Sequence, residues 1–368
     1  MRQCKECVMD ESDKYIIFDS KGICNHCNSY SERLKKFNVI YSKKNLNSLL
    51  SKLKSNKKYD CIIGVSGGVD SSFLLYWAKK QGLNPLCIHL DNGWNSELAV
   101  DNINKLIDYT GFDLITHVID WKEFKSIQRS FFKANVIDLE LVTDQAIFAS
   151  LYKYAIKFKI KYILSGENFK TEAILPQDWI WRKSDVKNIV GINKIYGEED
   201  SLKTYPKLNT FFKTFYQYSG LIISIPILNY INYDKKNAEI TLFNETGWRP
   251  YPGKHYESIF TRFYQGYILP KKFKIHKRKA HLSTLINSNQ ISRDQAIEIL
   301  SSDDYPLNLQ KEDKILVCKK LNFSEEFMNQ YINSPRVNHS NYPTDQKLYN
   351  FLHNIYLKLN LRRYNKYA

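Results

Sequence analysis

Two groups of residues in this chain have the types and spacing that chemistry requires. The first is the stretch Tyr59–Ser72, YDCIIGVSGGVDSS. Its opening is a short β-branched, apolar run of the kind that forms a buried strand over Tyr59–Val65. Ser66, Gly67, Gly68, Val69, Asp70, Ser71 and Ser72 follow, and then a helical pattern through Phe73, Leu74, Leu75, Trp77 and Ala78. A strand that turns through two glycines into a helix makes an anion site. The glycines let backbone N–H groups close on an anion without Cβ interference, and the new helix aims its unpaired N–H groups at it. Ser66, Ser71 and Ser72 add hydroxyl donors, and Asp70 can hold a magnesium ion that bridges phosphate oxygens. The plainer alternative is a Ser/Gly-rich turn with no ligand. The second group is Cys4, Cys7, Cys24 and Cys27, spaced C-x2-C-x16-C-x2-C. Each C-x2-C puts two thiolates on one knuckle, and two knuckles complete a tetrahedral zinc site of structural kind. An iron–sulfur cluster and two disulfides are the alternatives, and His26 could replace one thiolate. The segment between the knuckles, Tyr15–Phe18 followed by Asp19–Gly22, suits a small β-hairpin. Cys61, Cys87 and Cys318 lie in apolar patterns and read as core residues.

The elements that would position the loop alternate strand and helix. Strands are expected at Pro85–Leu90, Leu114–Ile119 and Lys161–Leu164, with helical spacing over Ser96–Tyr109, Phe124–Asn135 and Asp144–Phe158. That alternation implies a parallel sheet with right-handed crossovers, whose ligands bind beyond the carboxyl ends of the strands. The polar strand ends then gain meaning: Asp91, Asn92, Asp120, Gly166 and Glu167 should face the loop's crevice, unless each carboxylate merely caps the next helix. Residues 170–220 are aromatic and charged without periodicity, as expected of a substrate lid or of local packing. Leu221–Leu228 reads as a further strand limited by Pro226, and Asp234–Asn244 as a helix. In Thr246–Gln265, Arg249, Lys254, His255, Glu257 and Arg262 are set among Gly, Pro and aromatics, as candidates for anion contacts and acid–base work ahead of a helix from Glu257. Lys271–Lys279 (KKFKIHKRK) is strongly basic. Ser292–Gln295 is a capping box, and Phe327–Ile332 and Gln346–Leu361 have helical spacing.

Composition narrows the class. At 368 residues, 43% hydrophobic and 25% charged, the chain has enough apolar surface for a sizeable core. The longest apolar run, Leu221–Leu228, is too short to span a bilayer, and no secretory apolar region is evident, so a cytoplasmic protein is expected. The net charge of +16 invites a nucleic-acid reading. The lysines, however, are scattered among Asn, Ile and Tyr, and a polyanionic small substrate would favour a basic cleft as well. Nucleic acid is therefore not the expected partner.

SGGVDSS is neither the G-x-x-x-x-G-K-[ST] loop nor G-x-G-x-x-G. It resembles the PP-loop of ATP pyrophosphatases, enzymes that release AMP and pyrophosphate. The order CxxC-V-M-D and CxxC, SGGVDSS, SGEN, then GKHYESIFTRFYQ, KRKAHLS and SRDQAIEIL resembles the N-acetyl sugar amidotransferases of bacterial surface-polysaccharide and nonulosonic-acid pathways, including lipopolysaccharide O-antigen biosynthesis. The resemblance runs from Cys4 to about Leu300. It implies an α/β fold: a parallel-sheet PP-loop (adenine nucleotide alpha hydrolase-like) domain over 59–280, a zinc knuckle over 1–30, a helical linker over 31–58 and a helical region over 281–368. It implies ATP and Mg2+ as cofactors alongside structural Zn2+, with ATP held by Ser66–Ser72, Asp91, Gly166 and Glu167 and site roles for Lys254, His255, Glu257 and Arg262. The implied reaction is ATP-dependent: ammonia replaces the carbonyl oxygen of a sugar's N-acetyl group, giving an acetamidino sugar. No glutaminase nucleophile is recognisable, since Arg2 occupies the position of a processed N-terminal cysteine. A separate glutaminase subunit, resembling the paired glutaminase and cyclase of histidine biosynthesis, is therefore implied. The runner-up is a tRNA-modifying PP-loop enzyme, lysidine-forming or thiolating. A third class is a non-catalytic zinc-knuckle binding protein.

Overall fold

The tetrapeptide Cys61-Ile62-Ile63-Gly64 points its side chains alternately to two buried faces, and that alternation sets the architecture. In the computed structural model, which describes residues 2–54, 57–199, 202–253, 255–302 and 305–358, it forms the middle strand of a five-stranded sheet. The strands are β1 (Cys61–Gly64), β2 (Pro85–Asp91), β3 (Leu114–Val118), β4 (Tyr162–Ser165) and β5 (Ile223–Pro226). Their order is β3-β2-β1-β4-β5, with every neighbouring pair parallel. Cys61 and Ile63 pack against Leu74, Ala78, Ile103, Leu106 and Leu242, on helices Val69–Lys80, Glu97–Thr110 and Lys235–Thr246. Ile62, Leu86 and Ile88 pack the other way, against Ala149, Tyr152 and Ala155 of helix Leu141–Lys157. The chain builds outward from β1 through β2 to β3, then returns to the far side of β1 for β4 and β5. The switch point lies between β1 and β4, and there the carboxyl ends of the strands open a crevice.

The expected strands are present: β1, β3 and β5 are shorter than expected, β4 is shifted by one residue, and β2 runs one residue further, to Asp91. Pairing in β5 stops at Pro226, opposite Ser165, and Ile227–Tyr230 turns away as a single 3-10 turn. The expected knuckle hairpin reduces to isolated bridges between Gln3 and Asp10 and between Phe18 and Cys24; Ile16, Phe18 and Ile23 pack on the core while Tyr15 and Ile17 stay exposed. The first 30 residues are not free-standing. Val8 N–H donates to Ser283 Oγ (3.2 Å), Arg293 Nε donates to the Cys7 carbonyl (3.2 Å), and Lys279 pairs with Asp10. The knuckle therefore packs on helices Lys277–Asn287 and Arg293–Ser301.

The 170–220 segment is ordered by packing. It contains helices Phe169–Glu172, Val186–Tyr196 and Thr210–Tyr218, with Trp179 and Tyr205 fully buried. Its approach to Tyr205 is pinned by Glu123, whose carboxylate accepts the N–H groups of Lys203, Thr204 and Tyr205 (each 2.9 Å) and the Thr204 hydroxyl (3.0 Å). Burial would raise this carboxyl, but the donors outweigh burial and hold it below the usual carboxylate range. The resulting stabilisation is complete above the unfolded-state value of about 4.3 and is lost as pH falls through the lower folded value. Glu123→Gln is expected to cost about 1–3 kcal/mol in urea unfolding at pH 7. The gap to wild type should narrow steadily in melts as the pH falls below about 4.

Candidate functional site

Gly67 has φ +79°, and a Cβ there would stand 2.7 Å from the carbonyl oxygen of Ala99. Only glycine fits both constraints. The turned-out Gly67 carbonyl accepts from Trp248 Nε1 and from the Tyr251 hydroxyl, both at 3.0 Å. Within the loop, Ser71 Oγ accepts from Ser66 N–H (3.3 Å) and donates to the Gly68 carbonyl (3.1 Å), while Ser66 Oγ accepts from Gly68 N–H (3.3 Å). Gly68 is the N-cap of helix Val69–Lys80 and has no side chain with which to cap it. Val69 joins the apolar layer under the sheet, and Ser72 is fully buried. The loop is thus a self-braced cradle opening onto an uncapped helix N-terminus, the arrangement that takes an anion.

The end of β4 closes on this cradle. A Cβ on Gly166 would lie 3.3 Å from the Asp70 backbone and side chain, so that glycine is what lets the two strand ends meet. Tyr233 donates its hydroxyl to Asp70, and burial followed by the Asp70 charge pushes the Tyr233 phenol up. Glu167, next along, has its carboxyl raised by the protein crowded around it and by Glu172, with Lys213 opposing. On the opposite flank the Glu257 carboxylate stands 3.8 Å from where a Gly68 Cβ would be, and His255 Nδ1 lies 3.4 Å from Glu257 Oε1. His255 takes a left-handed backbone, φ +65°.

The other expected residues divide. Asp91 accepts from Gly93 N–H (2.8 Å) and Asp120 from Lys122 N–H (2.8 Å), which are local turn and cap bonds. Asn92 donates to Thr143 Oγ1 (3.2 Å), joining β2 to helix Leu141–Lys157. Arg262 makes a two-pronged bond to Asp313 (2.8 and 2.7 Å) and lies over the Tyr256 ring, so its partners tie helices together. Lys254 lies outside the described residues. Sequence reasoning missed a buried network beside His255. Lys183 Nζ bridges Asp138 (2.7 Å) and Asp144 (2.8 Å), and Lys277 pairs with Glu140 (3.1 Å). Burial would raise Asp138 and Glu140, but Lys183 and Lys277 outweigh it and hold both down, whereas burial leaves Asp144 raised. The available signal was three acids, Asp138, Glu140 and Asp144, inside the largely apolar run 136–149.

The basic segment also turns inward. Lys272 donates to Asn135 Oδ1 (3.0 Å) and Ser334 O (2.7 Å), Lys277 holds Glu140, Lys279 holds Asp10, and Arg278 reaches the Ser302 carbonyl (3.2 Å). These cations brace the fold.

Cys4, Cys7, Cys24 and Cys27 are buried with all four sulfurs within 4.8 Å of one another, three of the separations being 4.0, 3.7 and 3.7 Å. Metal–sulfur bonds of about 2.3 Å in a tetrahedron put sulfurs about 3.8 Å apart, so the set fits one central ion. Cys4 Sγ also accepts from Cys24 N–H (3.2 Å), and Cys27 Sγ from Asn287 Nδ2 (3.4 Å). His26 is engaged by Asp13 (2.6 Å) and stands apart from the set. Cys61 and Cys87 are fully buried, which pushes both thiols up, Cys87 to about 12.

Residues 257–356 match the family model described as "LPS biosynthesis protein WbpG-like, C-terminal domain". An uncharacterized protein of Methanocaldococcus jannaschii is 33% identical over 116 residues, 31% of this chain and 41% of that protein. A tRNA(Ile)-lysidine synthase of Chlamydia pneumoniae is 34% identical over 61 residues, 17% of this chain and 18% of that one. The chain therefore spans less than half the length of these curated relatives. Among solved structures, the U34-tRNA thiolase NcsA from Methanococcus maripaludis, which carries a 4Fe–4S cluster, aligns over 91% of this chain and 90% of its own at 13% identity, with a TM-score of 0.34.

The loop geometry makes a direct demand. Gly67→Ala is expected to weaken nucleotide binding by about tenfold or more, which is about 1.4 kcal/mol. It should also destabilise the fold by about 1–3 kcal/mol through backbone strain. Isothermal titration and thermal unfolding of the variant check the two effects separately.

Proposed function

We propose that this chain, whose residues 257–356 carry a WbpG-like C-terminal domain, is an ATP-dependent amidotransferase acting on an N-acetyl sugar in surface-polysaccharide biosynthesis. The observation that carries the reading is the meeting of the Ser66–Ser72 cradle with Gly166–Glu167 at the switch point of the sheet. An amide carbonyl is a poor electrophile, and ammonia does not displace its oxygen unaided. In the proposed reaction the amide oxygen attacks the α-phosphate of ATP and the bond to the β-phosphate breaks, releasing pyrophosphate. Ammonia then adds to the activated carbon, the C–O bond to AMP breaks, and proton loss leaves the acetamidino group.

The chain's residues suit that sequence. Gly67, Gly68 and the N-terminus of helix Val69–Lys80 hold the departing pyrophosphate. Asp70 and Glu167 are the carboxylates available to Mg2+, which would screen the phosphate charge. His255, joined to Glu257 beside Gly68, is placed to move a proton, and Lys254 is proposed as a transition-state cation. The four cysteines are assigned a structural Zn2+, on the fit of their spacing to a single tetrahedral ion. Ammonia is assigned to a separate glutaminase subunit, because no nucleophile pattern of a glutaminase surrounds Cys61, Cys87 or Cys318. A reaction that uses ATP and a sugar carrying a nucleotide would run in the cytoplasm, the location assigned in this reading. Lysidine formation on tRNA is the second reading, favoured by the local identity to the Chlamydia synthase.

The deciding assay is pyrophosphate release from ATP with ammonium chloride, magnesium and a panel of nucleotide-linked N-acetyl sugars, with bulk tRNA in parallel. Release dependent on one sugar, with a product lighter by about one mass unit (O replaced by NH), is the expected outcome. Release with tRNA alone would sink the amidotransferase. Asp70→Asn should lower the rate by about a hundredfold or more. Metal analysis should return one zinc per chain, and Cys24→Ser should lose it together with thermal stability.

A further inference from the structure

The histidine near the end of β2 stands where the packing pattern calls for an apolar side chain. Cys61, Ile63 and Val65 along β1 and Cys87 on β2 all face the layer under helices Val69–Lys80 and Glu97–Thr110. His89 lies two residues beyond Cys87, on the same face, and is buried there. The plain alternative is a core histidine satisfied by whatever polar groups lie nearest. Its partners are more particular than that. Nδ1 is 2.8 Å from the carbonyl of Val65, whose peptide opens the phosphate loop. Nε2 is 3.0 Å from Asn95 Nδ2, in the turn after β2.

Those partners fix the proton. A carbonyl only accepts, so Nδ1 carries the hydrogen and donates to Val65. The Asn95 amide is oriented by Asp91, whose Oδ1 lies 3.5 Å from the same Nδ2, so that nitrogen donates and Nε2 accepts. His89 is therefore the neutral Nδ1–H imidazole. Each of its bonds leads to one wall of the crevice. The Val65 carbonyl and the Ser66 N–H belong to one planar peptide, and that N–H donates to Ser71 Oγ (3.3 Å), which in turn donates to the Gly68 carbonyl. On the other side, Asn95 forms an antiparallel bridge with Ser258. Ser96 N–H to the Glu257 carbonyl (2.9 Å) and Ile259 N–H to the Trp94 carbonyl (3.0 Å) flank that bridge. The bridge thus holds the segment whose Glu257 carboxylate stands 3.8 Å from where a Gly68 Cβ would be.

We propose that His89 is a positioning residue that sets the phosphate loop and the His255–Glu257 pair at a fixed separation. Its Nδ1–H orients the peptide that opens the loop, and its Nε2 holds the turn that pairs with the Glu257 segment. It touches no ligand itself. A leucine would fill the same space and hold neither wall. The inference deepens the reading above and rests on it for the proton transfer at His255; the loop bond needs only that the cradle takes phosphate.

The test uses the full chain as wild type, His89→Leu, His89→Asn, His89→Gln and Asn95→Ala, titrated calorimetrically with ATP and with inorganic pyrophosphate. The Asn amide nitrogen can replace Nδ1 and the Gln amide oxygen can replace Nε2, so each variant restores one bond. His89→Leu should weaken both ligands by about three- to thirtyfold, the worth of one or two hydrogen bonds. His89→Asn should bind them within about threefold of wild type, whereas His89→Gln should resemble His89→Leu. In sugar-dependent pyrophosphate release, His89→Asn and Asn95→Ala should lower kcat by about tenfold to a hundredfold with the KM for ATP little changed. A histidine that only fills the core would move the melting temperature without separating the two bonds. Independently, 15N NMR of histidine-labelled protein should show an Nδ1–H imidazole that is missing from His89→Asn and shifts when pyrophosphate binds. Equal pyrophosphate affinity in wild type and folded His89→Leu overturns the inference. So does equal affinity in His89→Asn and His89→Gln, the comparison that decides if His89→Leu does not fold, or an Nε2–H tautomer at His89. If no sugar supports release, the amidotransferase reading fails, while the calorimetric split and the tautomer still decide this one.

Discussion

The carbonyl of Gly67 is the point on which the crevice depends. Two donors from one distant segment, Trp248 and Tyr251, converge on it, while the other side of the same residue rests on Ala99. The contact therefore binds three parts of the chain that are remote in sequence: the strand-to-helix loop, helix Glu97–Thr110 and the turn after residue 246. A peptide held on both sides has little freedom to flip, so the neighbouring N–H groups keep their direction without a ligand. That preorganisation is what makes an electrostatic cradle effective.

Around this point the charged groups follow a second logic. Asp138, Glu140 and Asp144 enter the protein with Lys183 and Lys277, and each pairing offsets a desolvation cost that no single member could bear. Trp181 N–H adds a further bond to Asp138 (2.7 Å), so the network fixes the start of helix Leu141–Lys157 against the segment after Trp179. The net charge of +16 loses much of its apparent meaning once these contacts are seen. Lys272, Lys277, Arg278 and Lys279 in the segment 271–279 are internal struts.

Local physics made part of this legible in advance. The strand-to-loop-to-helix sequence at 59–72 and the paired C-x2-C spacings each encode their geometry within a few residues, and both appear where the pattern put them. The parallel sheet followed from the alternation of short apolar runs with helical periods, while strand ends drifted by a few residues because pairing depends on neighbours. What stayed hidden depends on contacts between distant segments. Nothing near Arg262 in sequence announces Asp313, and nothing in TFFKTFYQY says which face of that helix will meet Phe148. The 170–220 stretch lacked periodicity because its buried side chains, Trp179 and Tyr205, pack on several elements and not along one stripe.

The docking of the cysteine knuckle on helices Lys277–Asn287 and Arg293–Ser301 has a consequence for biosynthesis. The thiols are synthesised before the surface that buries them, which is made about 250 residues later. At about 5–20 residues per second they wait for about ten to fifty seconds in a partly finished chain. During that interval the knuckle has no partner to shield it, and early capture of a metal ion would be its main protection against oxidation. The order of synthesis thus sets a chemical deadline for the first thirty residues that the finished fold no longer displays.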